Sequence, residues 1–147
     1  MKRYGSEGLV QELKAKTRIP VIVGPMFLVS GPELVISCSK AGVVGSFPTL
    51  NARTPEVLDS WLGEINAALS DKSSPSVAPY AANLIVHSTN QRLQTDLDLL
   101  IKHRVGFVIA SVGSPAPIVA AIKDYDGIVF SDVATVRHAR RKLALMA

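Results

Sequence analysis

Residues 19–48, IPVIVGPMFLVSGPELVISCSKAGVVGSFP, decide how the rest of this chain is read. The first five residues form a short apolar run that Gly24-Pro25 ends. Gly31-Pro32-Glu33 then opens a helix, and proline suits its first turn, where the missing N–H has no intrahelical partner to lose. Leu34, Val35, Cys38 and Ala41 place apolar groups on one side of that helix, and Gly42 stops it. Val43-Val44 begins a second strand, which runs out at Gly45-Ser46-Phe47-Pro48. Two buried strands joined by one helix make a βαβ unit, and parallel α/β proteins place their chemistry in the loops beyond the strand ends. Gly24-Pro25-Met26 and Gly45-Ser46 are the first places to look for a site.

The same alternation continues along the chain. Strands are expected to begin near Val21, Val43, Tyr80, Phe107 and Ile128, each interval leaving room for one helix and two short loops. Helices are expected over 32–41, 55–69, 91–103, 115–123 and 135–145. Thr54 can cap the second of these, with Pro55-Glu56 in its first turn. Asn90 can cap the third, and Ser114-Pro115 marks the start of the fourth. An amphipathic segment at 8–17 reads as an N-terminal helix covering the bottom of a barrel, and 71–79 (DKSSPSVAP) reads as loop. The fold class is therefore α/β with parallel (β/α) repeats. It comprises a single partial domain, 1–147, holding the first five units of a TIM-type (β/α)8 barrel, which needs eight units and typically ~250 residues. An open edge is expected at strands one and five. Such edges leave unpaired backbone groups and apolar surface, so a marginal, aggregation-prone or oligomeric chain is expected.

Composition narrows the class. Of 147 residues, 48% are hydrophobic, 19% charged and 5% aromatic, with mean hydropathy +0.27. This profile excludes a disordered or disulfide-rich chain. One cysteine cannot make an internal disulfide, which suits a cytoplasmic location. The apolar runs fall short of the ~18 residues of a membrane helix, and Met1-Lys2-Arg3-Tyr4 has no apolar core behind it, so neither membrane span nor signal peptide is expected. The net charge is +4. Its dense cluster, Arg137, His138, Arg140, Arg141 and Lys142, has no aromatic within it and sits toward a helix C-terminus, where cations are favoured. No nucleic-acid partner is expected.

Residues 24–48 resemble the N-terminal signature of the nitronate monooxygenase family, once called 2-nitropropane dioxygenases. The likeness continues through 79–87 (PYAANLIVH) and 127–133 (GIVFSDV). The family's first strand typically ends Ala-Pro-Met, here Gly24-Pro25-Met26. The resemblance implies an FMN-dependent (β/α)8 barrel that oxidises alkyl nitronates with dioxygen to a carbonyl compound and nitrite. It also implies that Pro25 and Met26 lie against the flavin and that Asn83 contacts it. The family's catalytic base, a His in a Gly-Gly-His motif after a sixth strand, has no counterpart here, so no catalytic residue is assigned. Loops that hold the FMN phosphate are missing too, and the chain alone is expected to bind FMN weakly, if at all, and to turn over no nitronate. One alternative is the similar FMN-dependent enoyl-acyl carrier protein reductase, whose fifth-strand segment resembles VFSDVATVRHARRKL. Another is a non-catalytic truncated half-barrel, existing as a homo-oligomer or completed by a missing C-terminal half.

The candidate cofactor residues are Gly24, Pro25, Met26, Asn83, Ser111 and Asp132. The alternative for Pro25 and Met26 is a strand-ending turn with Met26 as core filler. Asn83 interrupts an apolar strand, so it must be hydrogen-bonded, either to a ligand or to neighbouring strands. Ser111 follows a strand, where a small residue admits a flat ring and its hydroxyl can donate; Ser and Gly are also ordinary turn residues. Asp132 is either a helix cap or a polar group in the site. His87 either shapes the site or is an ordinary loop histidine. His103 and His138 read as surface residues, and Cys38 as buried core. Asp96 and Asp98, two apart on a helix, face different ways and are no catalytic pair. No metal-ligand spacing, dinucleotide fingerprint or P-loop is present.

Overall fold

The computed structural model describes residues 6–70 and 77–146; residues 71–76 of the expected loop lie outside them. Four strands, β1 (Ser46–Pro48), β2 (Ala81–Ile85), β3 (Phe107–Ser111) and β4 (Ile128–Ser131), form one sheet in chain order. All neighbours are parallel, with Ser46, Ala81, Phe107 and Ile128 in register across the sheet. Helices α2 (Pro32–Lys40), α3 (Pro55–Leu69), α4 (Leu93–Lys102), α5 (Ala116–Lys123) and α6 (Val136–Met146) alternate with them, and α1 (Ser6–Lys16) precedes them. This is the expected parallel (β/α) architecture in barrel order.

The expected first strand is much reduced. Of residues 19–23, only Ile22 bridges to Val44; the Val23 N–H donates to the Val44 carbonyl (2.8 Å) and the Val44 N–H to the Val21 carbonyl (3.0 Å). Pro20 has no N–H to give and Gly24-Pro25 ends the extended run, so three residues at most can enter the ladder. Among the described residues, four strands and one bridge thus stand where five strands were expected.

Alternation along the strands separates two apolar faces. Phe47, Ala82, Leu84, Val108, Ala110 and Val129 point outward and pack with Val35, Leu58, Leu62, Ile65, Leu100, Ile118 and Ile122 of the helices, which makes the main core. Val44, Ala81 and Phe107 point inward, with Ile22, Ile109, Ile128 and Phe130 around them and Leu13 of α1 packed alongside. Phe107 meets Phe130 edge to face at 5.5 Å. The N-terminal helix therefore reaches the inner face, as a barrel-bottom helix should.

Local capping explains where the helices start. The Thr54 side chain accepts from the Val57 N–H (3.4 Å), as expected at the start of α3. Asn90 is not the cap of α4; Arg92 takes that place. Asn90 instead accepts from the Arg92 N–H (3.0 Å) and donates its amide to the Ile85 carbonyl (2.8 Å), tying the loop to the end of β2. Cys38 is half-buried, more open than the expected core position.

His103 is also not a free surface residue. Its ring Nε2 lies 2.5 Å from Asp59 Oδ1 on α3, while Asn66 donates to its carbonyl (3.2 Å) and accepts from the Tyr80 hydroxyl (3.0 Å). Burial pushes the Tyr80 phenol up, so it stays a neutral donor. Hydrogen bonds from Lys102, then His103, hold the Asp59 carboxyl below its ordinary value of 3.8. A carboxyl depressed by folding stabilises the protein above its unfolded pKa, and that contribution fades as pH falls through the folded value. Asp59→Asn should therefore lower the urea midpoint at pH 7, with the gap to the parent closing as the pH drops below about 4. A gap that persists unchanged at pH 2 would show that the charge is not the cause.

Candidate functional site

Outward-facing Ala82 and Leu84 flank Asn83, which places its side chain on the inner face in the middle of β2. It is 6% exposed. Its amide donates to the Ile109 carbonyl (2.9 Å) and to Ser111 Oγ (2.7 Å) on the adjacent strand. A carbonyl can only accept, so the amide nitrogen must face it, and Asn83 Oδ1 is left with no hydrogen bond among the described residues. Ser111 accepts from Asn83 and keeps its own proton to give. The pair thus presents one acceptor and one donor side by side. Of the two readings of Asn83, the tie between neighbouring strands is the one observed, and its Oδ1 stays unused among the described residues.

The loop after β3 lies close against Val86, just beyond the end of β2. Val112, a β-branched residue 60% exposed, has φ 63, a conformation that costs energy and concentrates at functional sites. Gly113 permits a close approach: a Cβ there would lie 2.8 Å from the Val86 carbonyl oxygen, and the Val86 N–H donates to the Ser111 carbonyl (2.9 Å).

Asp132 holds this loop from the other side. Its Oδ2 accepts from the Val112 N–H (3.4 Å), while its Oδ1 and its carbonyl both receive Lys142 Nζ (3.1 and 2.8 Å). Lys142 is 5% exposed. Asp132 is therefore a clamp between α6 and the residue after Ser111. Thr135 does the capping, accepting from the His138 N–H (3.1 Å). Since only Lys142 is buried among the described side chains of α6, Lys142→Ala should destabilise the helix by about 1.5–3 kcal/mol, the range for charge-assisted hydrogen bonds. Hydrogen exchange of the amides 140–144 would then rise; unchanged protection would refute the clamp.

Gly24, Pro25 and Met26 start the loop beyond the bridge at Ile22. Gly24 is exposed, Pro25 half-buried and Met26 41% exposed, so Met26 is not core filler. The Met26 N–H donates to Ser30 Oγ (3.0 Å), and Asn51 donates to the carbonyls of Met26 (3.0 Å) and Ser30 (2.8 Å) while accepting from the Leu28 N–H (3.1 Å). Leu28 has φ 64. Ser46, at the start of β1, donates its hydroxyl to the Val23 carbonyl. No hydrogen bond among the described residues joins 24–26 to Asn83 or Ser111; the two groups share only the sheet that carries them.

Other candidates resolve simply. His87 is exposed, and its Nδ1 bonds locally to Thr89 Oγ1 (2.9 Å). Asp96 is fully buried and pairs with Arg92 (2.8 Å), whereas Asp98 is exposed and accepts from Gln94, so the two do face apart. Among the described residues no group of three His, Cys, Asp or Glu could hold a metal, and no helix is long and apolar enough to cross a membrane. Asn51, and the inward turn of Lys142 out of its basic cluster, are not apparent from the sequence. Their partners lie up to 25 residues away, beyond any local pattern.

No protein-family model matches the chain, and no curated protein matches it in sequence. Solved structures do match. FabK from Thermotoga maritima aligns with a TM-score of 0.78 at 22% identity, over 95% of this chain and 41% of that one. A point mutant of the same protein gives 0.76 at 21% identity, over 95% and 43%. The likeness is one of fold. The chain is a partial parallel (β/α) barrel spanning about two fifths of the FabK chain.

Proposed function

We propose that this chain forms part of an FMN-dependent oxidoreductase of nitronate monooxygenase type, acting on alkyl nitronates and dioxygen. The observation that supports it best is the Asn83–Ser111 pair, which joins the middle of β2 to the C-terminal end of the adjacent parallel β3, the end at which barrel enzymes collect their sites. An isoalloxazine ring carries an N–H beside carbonyl oxygens along one edge. Asn83 Oδ1 would accept from the first and the Ser111 hydroxyl would donate to the second. Bound there, FMN would supply the redox chemistry that side chains do not. The chain's own part is to bind and orient: the backbone of Gly24-Pro25-Met26 and the exposed Met26 and Val112 side chains would exclude water from that edge. Phosphate sites in such barrels typically follow strands seven and eight, so these residues alone would hold FMN weakly.

The likeness of fold supports the enoyl-acyl carrier protein reductase reading as well as it supports the nitronate reading. Fusion to the C-terminal half of a nitronate monooxygenase barrel separates them. The fusion should purify yellow and consume oxygen with an alkyl nitronate. Oxidation of NAD(P)H with an enoyl substrate and no nitronate turnover would favour the reductase instead. Asn83→Ala in the fusion should weaken FMN binding roughly fivefold, the worth of a hydrogen bond of about 1 kcal/mol. Unchanged affinity would remove Asn83 from the site.

A further inference from the structure

A groove of about 380 Å³ opens between the start of α2 and the middle of α3, with Val29, Leu34 and Trp61 as apolar lining and Glu33 and Glu64 on its rim. Its apolar wall is pre-formed. Val29 is 66% exposed, yet its loop is pinned at Met26, Leu28 and Ser30 by Asn51, so an occupant need not order it on binding. The groove asks for an apolar segment carrying cations.

The chain's own surface carries one. On α6, Val136 (72% exposed) and Leu143 (66% exposed) stand seven residues apart with Arg140 between them, one stripe of the helix. Arg137 and Arg141 are exposed beside it, while Lys142 is turned inward to Asp132. The same copy cannot bring the two together. α6 packs on α5, beyond β4, whereas α2 and α3 pack on each other at the β1 side of the sheet.

We infer that the groove beside Trp61 takes the Val136–Arg140–Leu143 stripe of α6 from a second copy of this chain, with Glu33 and Glu64 facing its arginines. The contact joins two different surfaces, so it closes when two copies exchange helices reciprocally and otherwise propagates. Helix-in-groove docking with an acidic rim is weakened by salt.

Light scattering on the parent chain should show a mass rising with concentration above 15.7 kDa, and less so at high salt. Trp61 is the only tryptophan, so its emission should shift to the blue in step with that mass. Glu33→Lys with Glu64→Lys should leave a monomer, as should Arg137→Glu with Arg140→Glu. All four are exposed positions, and circular dichroism would confirm that both variants fold. An equal mixture of the two variants should associate again, because each then meets the opposite charge. A parent that stays monomeric at every concentration would overturn the inference. So would variants that associate as the parent does, or a mixture that does not.

Discussion

Phe47→Ala should cost about 3–5 kcal/mol of stability, the range for emptying a buried aromatic site. Phe47 has no exposed surface, stands in the middle of β1, and meets Trp61 of α3 edge to face at 5.9 Å. Its removal opens a cavity between the outer face of the sheet and helices α2 and α3. The strand it belongs to is only three residues long, so little ladder remains to hold it. A domain of this size has about 5–15 kcal/mol in total, and the variant should lose a large part of that. Urea unfolding followed by Trp61 fluorescence would read the loss directly, since that ring reports the site being emptied. A cost below 1 kcal/mol would mean that β1 does not pack on α3 as described.

Gly45→Ala should be nearly as damaging for the opposite reason. A Cβ at Gly45 would lie 2.7 Å from the Val35 carbonyl oxygen, 2.8 Å from Val35 Cα and 3.1 Å from Cys38 Cβ. Two of those three atoms belong to the main chain or its Cα, so no side-chain rotation relieves the contact, and α2 must move away from the strand. Overpacking of this kind typically costs 1–3 kcal/mol; we expect about 3. Moving α2 also moves Gly31 and the loop that Asn51 pins, so the amide shifts of 26–30 should change as well. Wild-type stability in this variant would show that α2 does not approach the strand so closely.

These two positions show what the sequence discloses. The strand-helix-strand reading of 19–48 rests on Pro32, Gly42 and the apolar runs; the structure follows it for the helix at Pro32–Lys40 and the strand at Ser46–Pro48, because proline, glycine and periodicity act within a few residues, and keeps only the Ile22–Val44 bridge of the first strand. Asn83 was visible as a polar group in an apolar strand, and Ser111 by its place after another. Their hydrogen bond was not visible, because it depends on the register that sets Asn83 opposite Ile109. The retreat of the first strand to a bridge follows from Pro20 and Pro25, whose spacing leaves only residues 21–23 free to pair. His103 looked like a surface residue because its helix is amphipathic and exposed there. Its partner Asp59 lies 44 residues back on another helix, and only packing of α3 on α4 brings them together. Asp132 offered two readings, cap or site. Lys142, ten residues on and buried by the path of the loop, gave it a third.

On the proposed function, the C-terminal side of this sheet forms one face of a flavin site. Titrating the isotope-labelled chain with FMN and following its amide resonances tests that most directly. We expect weak, fast-exchanging binding, with shifts concentrated at Gly24, Met26, Asn83, Ser111 and Val112 and little change on the outer faces of α3 and α4. Shifts that fall elsewhere, or none at millimolar FMN, would contradict it.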